Sequence, residues 1–225
     1  MCLALIRCDL VLVTLWGDLP VLSLYQLKPR FQALLRPLVA RLASAGVTAN
    51  GVTCAAMLVS LGLGVLLFAF PRPALFLLLP AWMFLRMAFN AIDGMLANEF
   101  GQRSALGAYL NELTDVASDA ALYLPFVQIA PFGWASVGLV VWLATVSEMA
   151  GALGPMVGGA RRYDGPMGKS DRALMFGALG LWLGLASDLP AGLFWLMPAA
   201  ALLIAVNIFN RVRGGVREVP MPQTT

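Results

Sequence analysis

The sequence predicts an all-α integral membrane protein, a bundle of six transmembrane helices preceded by an amphipathic helix at the membrane surface. Three observations predict it. Of the 225 residues, 60% are apolar and only 12% charged, and the mean hydropathy is +0.81. Soluble domains carry about 25% charged residues, so this chain has too little charge to clothe a water-soluble fold, and the bilayer is its solvent. Six apolar stretches reach or approach the roughly 20 residues that span the hydrocarbon layer. Finally, the basic residues collect at alternate junctions between those stretches.

In chain order, residues 1–21 are an N-terminal extension, apolar but broken by Arg7, Asp9 and Asp18, with no signal-peptide cleavage pattern and no assignable function. Residues 22–46 mix Lys28, Arg30, Arg36 and Arg41 with Leu, Phe and Val at helical spacing. This suits an amphipathic segment on the anionic cytoplasmic leaflet, against the alternative of a soluble linker. Pro29 and Pro37 divide it into two short pieces. The membrane domain covers 47–213, with spans near 52–71, 74–97, 105–131, 134–158, 172–188 and 190–210, and residues 214–225 form a tail. Turns at 71–73, 130–133 and 187–192 are short and hold a single basic residue, Arg72. The junctions around 98–104 and 159–171 are charged. By the positive-inside rule these junctions and both termini face the cytoplasm, as in a bacterial-type inner membrane.

Composition also excludes chemistry. The chain has no histidine, which removes imidazole ligands, imidazole acid–base catalysis and the Ser-His-Asp triad. Cys2, Cys8 and Cys54 are not spaced as a metal site. Carboxylates without histidine or thiolate partners suit hard cations such as Mg²⁺ or Mn²⁺.

Polar residues gather where the second span meets the third. Asn90 and Asp93, three apart, share a helix face. Asn111, Asp115 and Asp119, spaced by four, make a stripe on the next helix. The short turn between the helices lets the two faces meet, and carboxylates that close repel unless a cation lies among them. Solvated loop positions suit Glu99 and Glu112. They do not suit Asp119, more than a turn into an apolar run, where an unpaired carboxylate is costly.

These residues carry a resemblance. The CDP-alcohol phosphatidyltransferase family has the signature D-x2-D-G-x2-A-R-x8-G-x3-D-x3-D. The chain reads Asn90-x2-Asp93-Gly94-x2-Ala97-Asn98-x8-Gly107-x3-Asn111-x3-Asp115. Every spacing is kept, while Asn90, Asn98 and Asn111 depart from the pattern. VTANGVT at 47–53 and the six-span arrangement resemble the family too, from about residue 22 onward. The resemblance implies a membrane enzyme of phospholipid synthesis. A phosphatidyl group, or another substituted phosphate, passes from a CDP-linked lipid such as CDP-diacylglycerol to an alcohol, releasing CMP. It implies two Mg²⁺ or Mn²⁺ ions held by aspartates at the cytoplasmic surface and a homodimer. The partners are membrane lipids and substrates rather than nucleic acid.

Carried over by position, Asp93 and Asp115 are catalytic residues and metal ligands, and Asn90 and Asn111 stand at metal positions without the charge. Asp119, a turn further on, restores one charge. Gly94, Ala97, Asn98, Gly107 and Arg103 belong to the CDP-lipid site. Arg161, Arg162, Lys169 and Arg172, in the glycine-rich junction 158–173, are expected at a phosphate of the acceptor or at a lipid headgroup; a plain topogenic loop is the alternative. Arg86 and Glu148, charges inside spans, pair with one another or touch substrate. The amides also admit a catalytically impaired, lipid-binding relative. A small transporter fits less well, because the polar residues lie at one membrane face with no inverted repeat.

Overall fold

A computed structural model describes residues 24–218; the extension 1–21 and most of the tail 214–225 lie outside the described residues. Seven α-helices make up the described chain, with no strand: α1 (Leu24–Ser44), α2 (Ala49–Ala69), α3 (Leu78–Glu99), α4 (Ala105–Tyr123), α5 (Trp134–Ala152), α6 (Lys169–Ala186) and α7 (Leu196–Glu218). Short 3₁₀ turns at Pro73–Leu77, Leu124–Gln128, Gly154–Val157 and Ala191–Trp195 connect several of them.

Local chemistry sets the ends. The α1 helix closes on Gly46, whose φ is +80°. The Val47 amide there bonds the Leu42 carbonyl at 3.0 Å and the Gly46 amide bonds that of Ala43, a left-handed glycine cap. Thr48 caps α2 by accepting from the Gly51 amide at 3.1 Å. Ser104 caps α4 by accepting from the Gly107 amide at 2.9 Å, and Asp171 fixes the start of α6 by accepting from the Gly168 amide at 3.0 Å. Each side-chain oxygen satisfies a donor that the first helical turn leaves open.

The two pieces expected across residues 22–46 are one continuous helix, α1. Pro37 removes a ladder bond from its interior, but Pro37 and Ala33 are both exposed, so the freed Ala33 carbonyl need not be buried unpaired. The opposite face buries Val39 against Ile92, Met95, Leu96 and Val52. Outside, Arg36 donates twice to Glu99, both at 3.0 Å, and this contact raises the pKa of Arg36.

Helices α2 and α4 pack together, as do α5 and α7, and α3 and α6. At Gly64 a β-carbon would stand 2.3 Å from the Ala121 carbonyl oxygen, so only glycine permits this approach of α2 to α4. The core away from the polar end is aromatic. Tyr123 stacks on Phe176 with centroids 4.0 Å apart, and Phe126 meets Phe76 edge-on at 5.1 Å. Leu79, Leu122, Val140, Met197 and Ile204 fill the space around them.

Among the described residues, four helical stretches are long and apolar enough to cross a membrane: Ala49–Ala69, Pro73–Glu99, Trp134–Val157 and Ala191–Glu218. The sequence predicts six. Helices α4 and α6 are the difference, because α4 holds Glu112, Asp115 and Asp119, and α6 holds Lys169, Asp171 and Arg172. The protein is thus an all-α membrane protein in which α4 and α6 each carry three charges within a single membrane-length stretch.

Candidate functional site

One end of the bundle holds a cavity of about 500 Å³. Its wall contains Asp93, Gly94, Ala97 and Asn98 of α3, Gly107, Asn111 and Glu112 of α4, Arg103 of the turn between them, and Arg161 beyond α5. Asn50 and Thr53, in the first turn and a half of α2, complete it. Six of the eight signature positions therefore meet on one surface. Asn90 and Asp115 are the two off the wall, each one turn from a residue that is on it.

Side chains from distant segments set the geometry. The Thr53 hydroxyl lies 2.8 Å from Asp93 Oδ2, as donor to acceptor. Gln102 ties the turn to the start of α2, its Oε1 accepting from the Ala49 amide at 2.7 Å and its Nε2 donating to the Val47 carbonyl at 3.2 Å. Arg103 Nε donates to Asn98 Oδ1 at 2.6 Å. A guanidinium from the turn thus stands beside the amide at the position where the resembling signature has arginine. At Gly107 a β-carbon would lie 2.8 Å from Asn50 Oδ1, whereas at Gly94 it would meet nothing within 4 Å. Gly107 permits close helix packing, and Gly94 keeps the cavity clear.

The four basic residues expected together at a phosphate take different positions. Arg161 lines the cavity, pairs with Glu112, approaches Glu148 at 3.6 Å, and lies over the Tyr163 ring at 5.0 Å. Burial lowers its pKa. Arg162 points elsewhere, to Asp164 at 2.7 Å and Glu218 at 3.1 Å, and its hydrogen bond to Asp164 raises its pKa. The Lys169 ammonium rests on Asp115 Oδ2. Arg172 is fully buried, donating to Glu148 Oε1 at 2.7 Å and to the Met167 carbonyl at 3.1 Å.

Asp119 also lies off the cavity. Its Oδ1 accepts from Arg86 Nη1 at 2.5 Å, and its Oδ2 is 3.8 Å from Arg172. Arg86 Nη2 reaches back to residue 115, bonding its carbonyl at 3.1 Å and its Oδ1 at 3.2 Å. Arg86 and Glu148 do not pair with one another. Glu148 is answered by Arg172 and, at 3.5 Å, by Arg211.

The donor chemistry bears on the implied metals. Among the described residues no three acidic or thiolate side chains converge as a metal cluster. Asp93 keeps a carboxylate on the cavity, with the Asn111 amide on the facing helix and Asn90 one turn behind. Such oxygens fit one hard cation. They do not fit two, because both Asp115 oxygens already face cations and two signature positions are neutral.

Sequence reasoning passed over Thr53, Asn50 and Gln102, although the segment containing the first two was noticed as VTANGVT. It placed Glu112 in solvent, where the fold gives it a wall of the cavity and a partner in Arg161.

No family model matches the chain. The protein is 46% identical to inner membrane protein YnbA of Escherichia coli over 195 residues, 85% of this chain and 96% of that one. It is 33% identical to a phosphatidylinositol phosphate synthase of Mycobacteroides abscessus over 112 residues, about half of either chain.

Proposed function

The chain belongs to the family of inner membrane protein YnbA, and from that premise, with a phosphatidylinositol phosphate synthase among its relatives, we propose that it is a CDP-alcohol phosphatidyltransferase of the inner membrane. It would take CDP-diacylglycerol or a similar lipid as donor and an alcohol as acceptor. The observation that carries this is the cavity, which draws Asp93, Gly94, Ala97, Asn98, Gly107 and Asn111 onto one wall at the spacing of the transferase signature.

All six of α2 to α7 would span the membrane. Helix α4 has 19 residues, about 28 Å at 1.5 Å each, close to the hydrocarbon thickness. Its charged Asp119 is buried, while Leu106, Tyr109 and Leu113 face outward. Helix α6 likewise hides Arg172 and exposes Leu174, Leu181 and Leu185. Helix α1 would lie at the cytoplasmic surface, with both termini and the cavity on that side.

In the reaction, the acceptor oxygen bonds the phosphorus that carries diacylglycerol. The bond from that phosphorus to the bridging oxygen breaks, CMP leaves, and the hydroxyl proton passes to a carboxylate, for which Asp115 is the candidate. Arg103 and Arg161, both on the cavity wall, would bind the donor's phosphate oxygens. Asp93, with Asn111 and Asn90, would hold one Mg²⁺ or Mn²⁺, whose chemistry when bound is to neutralise charge on those oxygens. Gly94 leaves room for the nucleotide. A homodimer is part of the same proposal.

Purified protein given CDP-diacylglycerol, Mn²⁺ or Mg²⁺ and a panel of alcohols should release CMP. No release above an Asp93→Asn, Asp115→Asn control with any acceptor would sink the transferase. One observation favours a second reading: with Asn90, Asn98 and Asn111 in place and Asp115 held by two cations, the cavity could bind a CDP-lipid without turning it over. Saturable CDP-diacylglycerol binding without CMP release would then be the outcome.

A further inference from the structure

We infer that Lys169 is a built-in cation of this site, its ammonium standing at Asp115 in place of a second divalent metal, so that the protein binds one Mg²⁺ or Mn²⁺ rather than two. Lys169's role deepens the transferase reading and rests on it for the reaction, but not for the metal count.

The contacts at Asp115 carry it. Oδ2 meets Lys169 and Oδ1 meets Arg86 at 3.2 Å, so neither oxygen remains free for a metal without displacing a cation. The positions that would supplement Asp115 are Asn111, one turn before it, and Asn90 on the facing helix. Both are neutral. Two divalent ions would bring four positive charges to Asp93 and Asp115, of which Asp115 already faces an ammonium and a guanidinium, while the third carboxylate of the cavity, Glu112, is held by Arg161. In a weakly screened site that repulsion has no counterweight. A single ion at Asp93 leaves an excess of positive charge that suits a pyrophosphate.

Lys169 is held where this requires. It is the first residue of α6, and Asp171 secures that start through the Gly168 amide. One turn further, Arg172 is anchored by Glu148 and the Met167 carbonyl. The helix therefore begins at a fixed place beside α4. The Lys169 side chain is 28% exposed and that of Asp115 17%, so the pair borders the accessible site rather than lying in the sealed interior. An ammonium cannot coordinate a phosphate oxygen as a metal does, but a fixed positive charge facing developing negative charge serves the same electrostatic purpose.

Mn²⁺ titration of the full chain in detergent, with free Mn²⁺ followed by electron paramagnetic resonance, tests this. Wild type should bind one ion per chain, and Asp93→Asn should lose it. Asn111→Asp alone should still bind one, because Lys169 remains. Asn111→Asp with Lys169→Met should bind two. Two ions in wild type, none in wild type, or one in the double variant would each overturn the proposal; the wild-type count stands even where a variant fails to fold. One bound ion without CMP release would defeat the transferase and leave Lys169 as assigned. Two bound ions with CMP release would do the reverse.

Discussion

Two groups of polar residues share α3 and α4 and behave differently. At the cavity, Asp93, Asn98, Asn111, Arg103 and Arg161 line open space. About 10 Å further along α3, by helical rise, Arg86, Asp119, Arg172, Glu148 and Arg211 are all buried, with each carboxylate answered by guanidinium groups. The types of residue are the same, and Asp115 and Asp119 sit on one stripe of one helix. What separates the carboxylate proposed to work from the structural one here is whether a cavity or a guanidinium faces it. Asp115 stands on the border, with Arg86 on its sealed side and Lys169 on its accessible side.

The largest effect should come from breaking the sealed group. Glu148→Gln leaves Arg172 and Arg211 facing a neutral amide, and unpairing a buried charge costs about 3–5 kcal/mol. Thermal unfolding in detergent should show a large drop in midpoint, and an unchanged midpoint would show that the network is not structural. At the open group the expected pattern reverses. Asp115→Asn should lower CMP release about 10²-fold or more, the usual contribution of a positioned base, with a much smaller change in unfolding. Equal losses of activity and stability would erase the distinction between the regions. Arg103→Ala removes a charge-assisted bond worth about 1.5–3 kcal/mol and should raise KM for the CDP-lipid roughly tenfold or more with kcat little changed; a loss confined to kcat would place Arg103 elsewhere in the reaction. Smallest of all, Arg36→Ala removes an exposed pair from the surface and should leave unfolding and CMP release near wild type, especially at high salt. A marked loss would make the clamp between α1 and α3 part of the site.

The all-helical membrane character was legible because hydropathy is a property of whole segments. The wall of the cavity was legible because Asp93 to Asn111 lie on consecutive helices joined by a short turn, where spacing narrows which faces can meet. Cationic partners were not legible in the same way. Arg86 lies 33 residues from Asp119 and Arg172 lies 24 from Glu148, and helical periodicity says nothing about which residue of a distant helix stands opposite. For that reason Arg86 and Glu148 looked like partners, and Lys169 and Arg172 looked like equals. One rests at the border of the site and the other is fully enclosed. Asp119 attracted attention for a sound reason, since a carboxylate so deep needs a partner, and its partners proved to be arginines.

The buried network also bears on how the chain is made. On the proposed six-span topology, helices α4 and α6 would be poor candidates to enter lipid alone, because ionised side chains at that depth resist insertion. Chain order supplies their counter-charges: Arg86 on α3 is synthesised before Asp119 on α4, and Glu148 on α5 before Arg172 on α6. On the proposed topology each polar helix thus follows a helix that already carries an opposite charge for it, Arg86 for Asp119 and Glu148 for Arg172. Arg211 on α7 arrives last and completes the set around Glu148, so biogenesis ends on a contact that only the nearly finished chain can make.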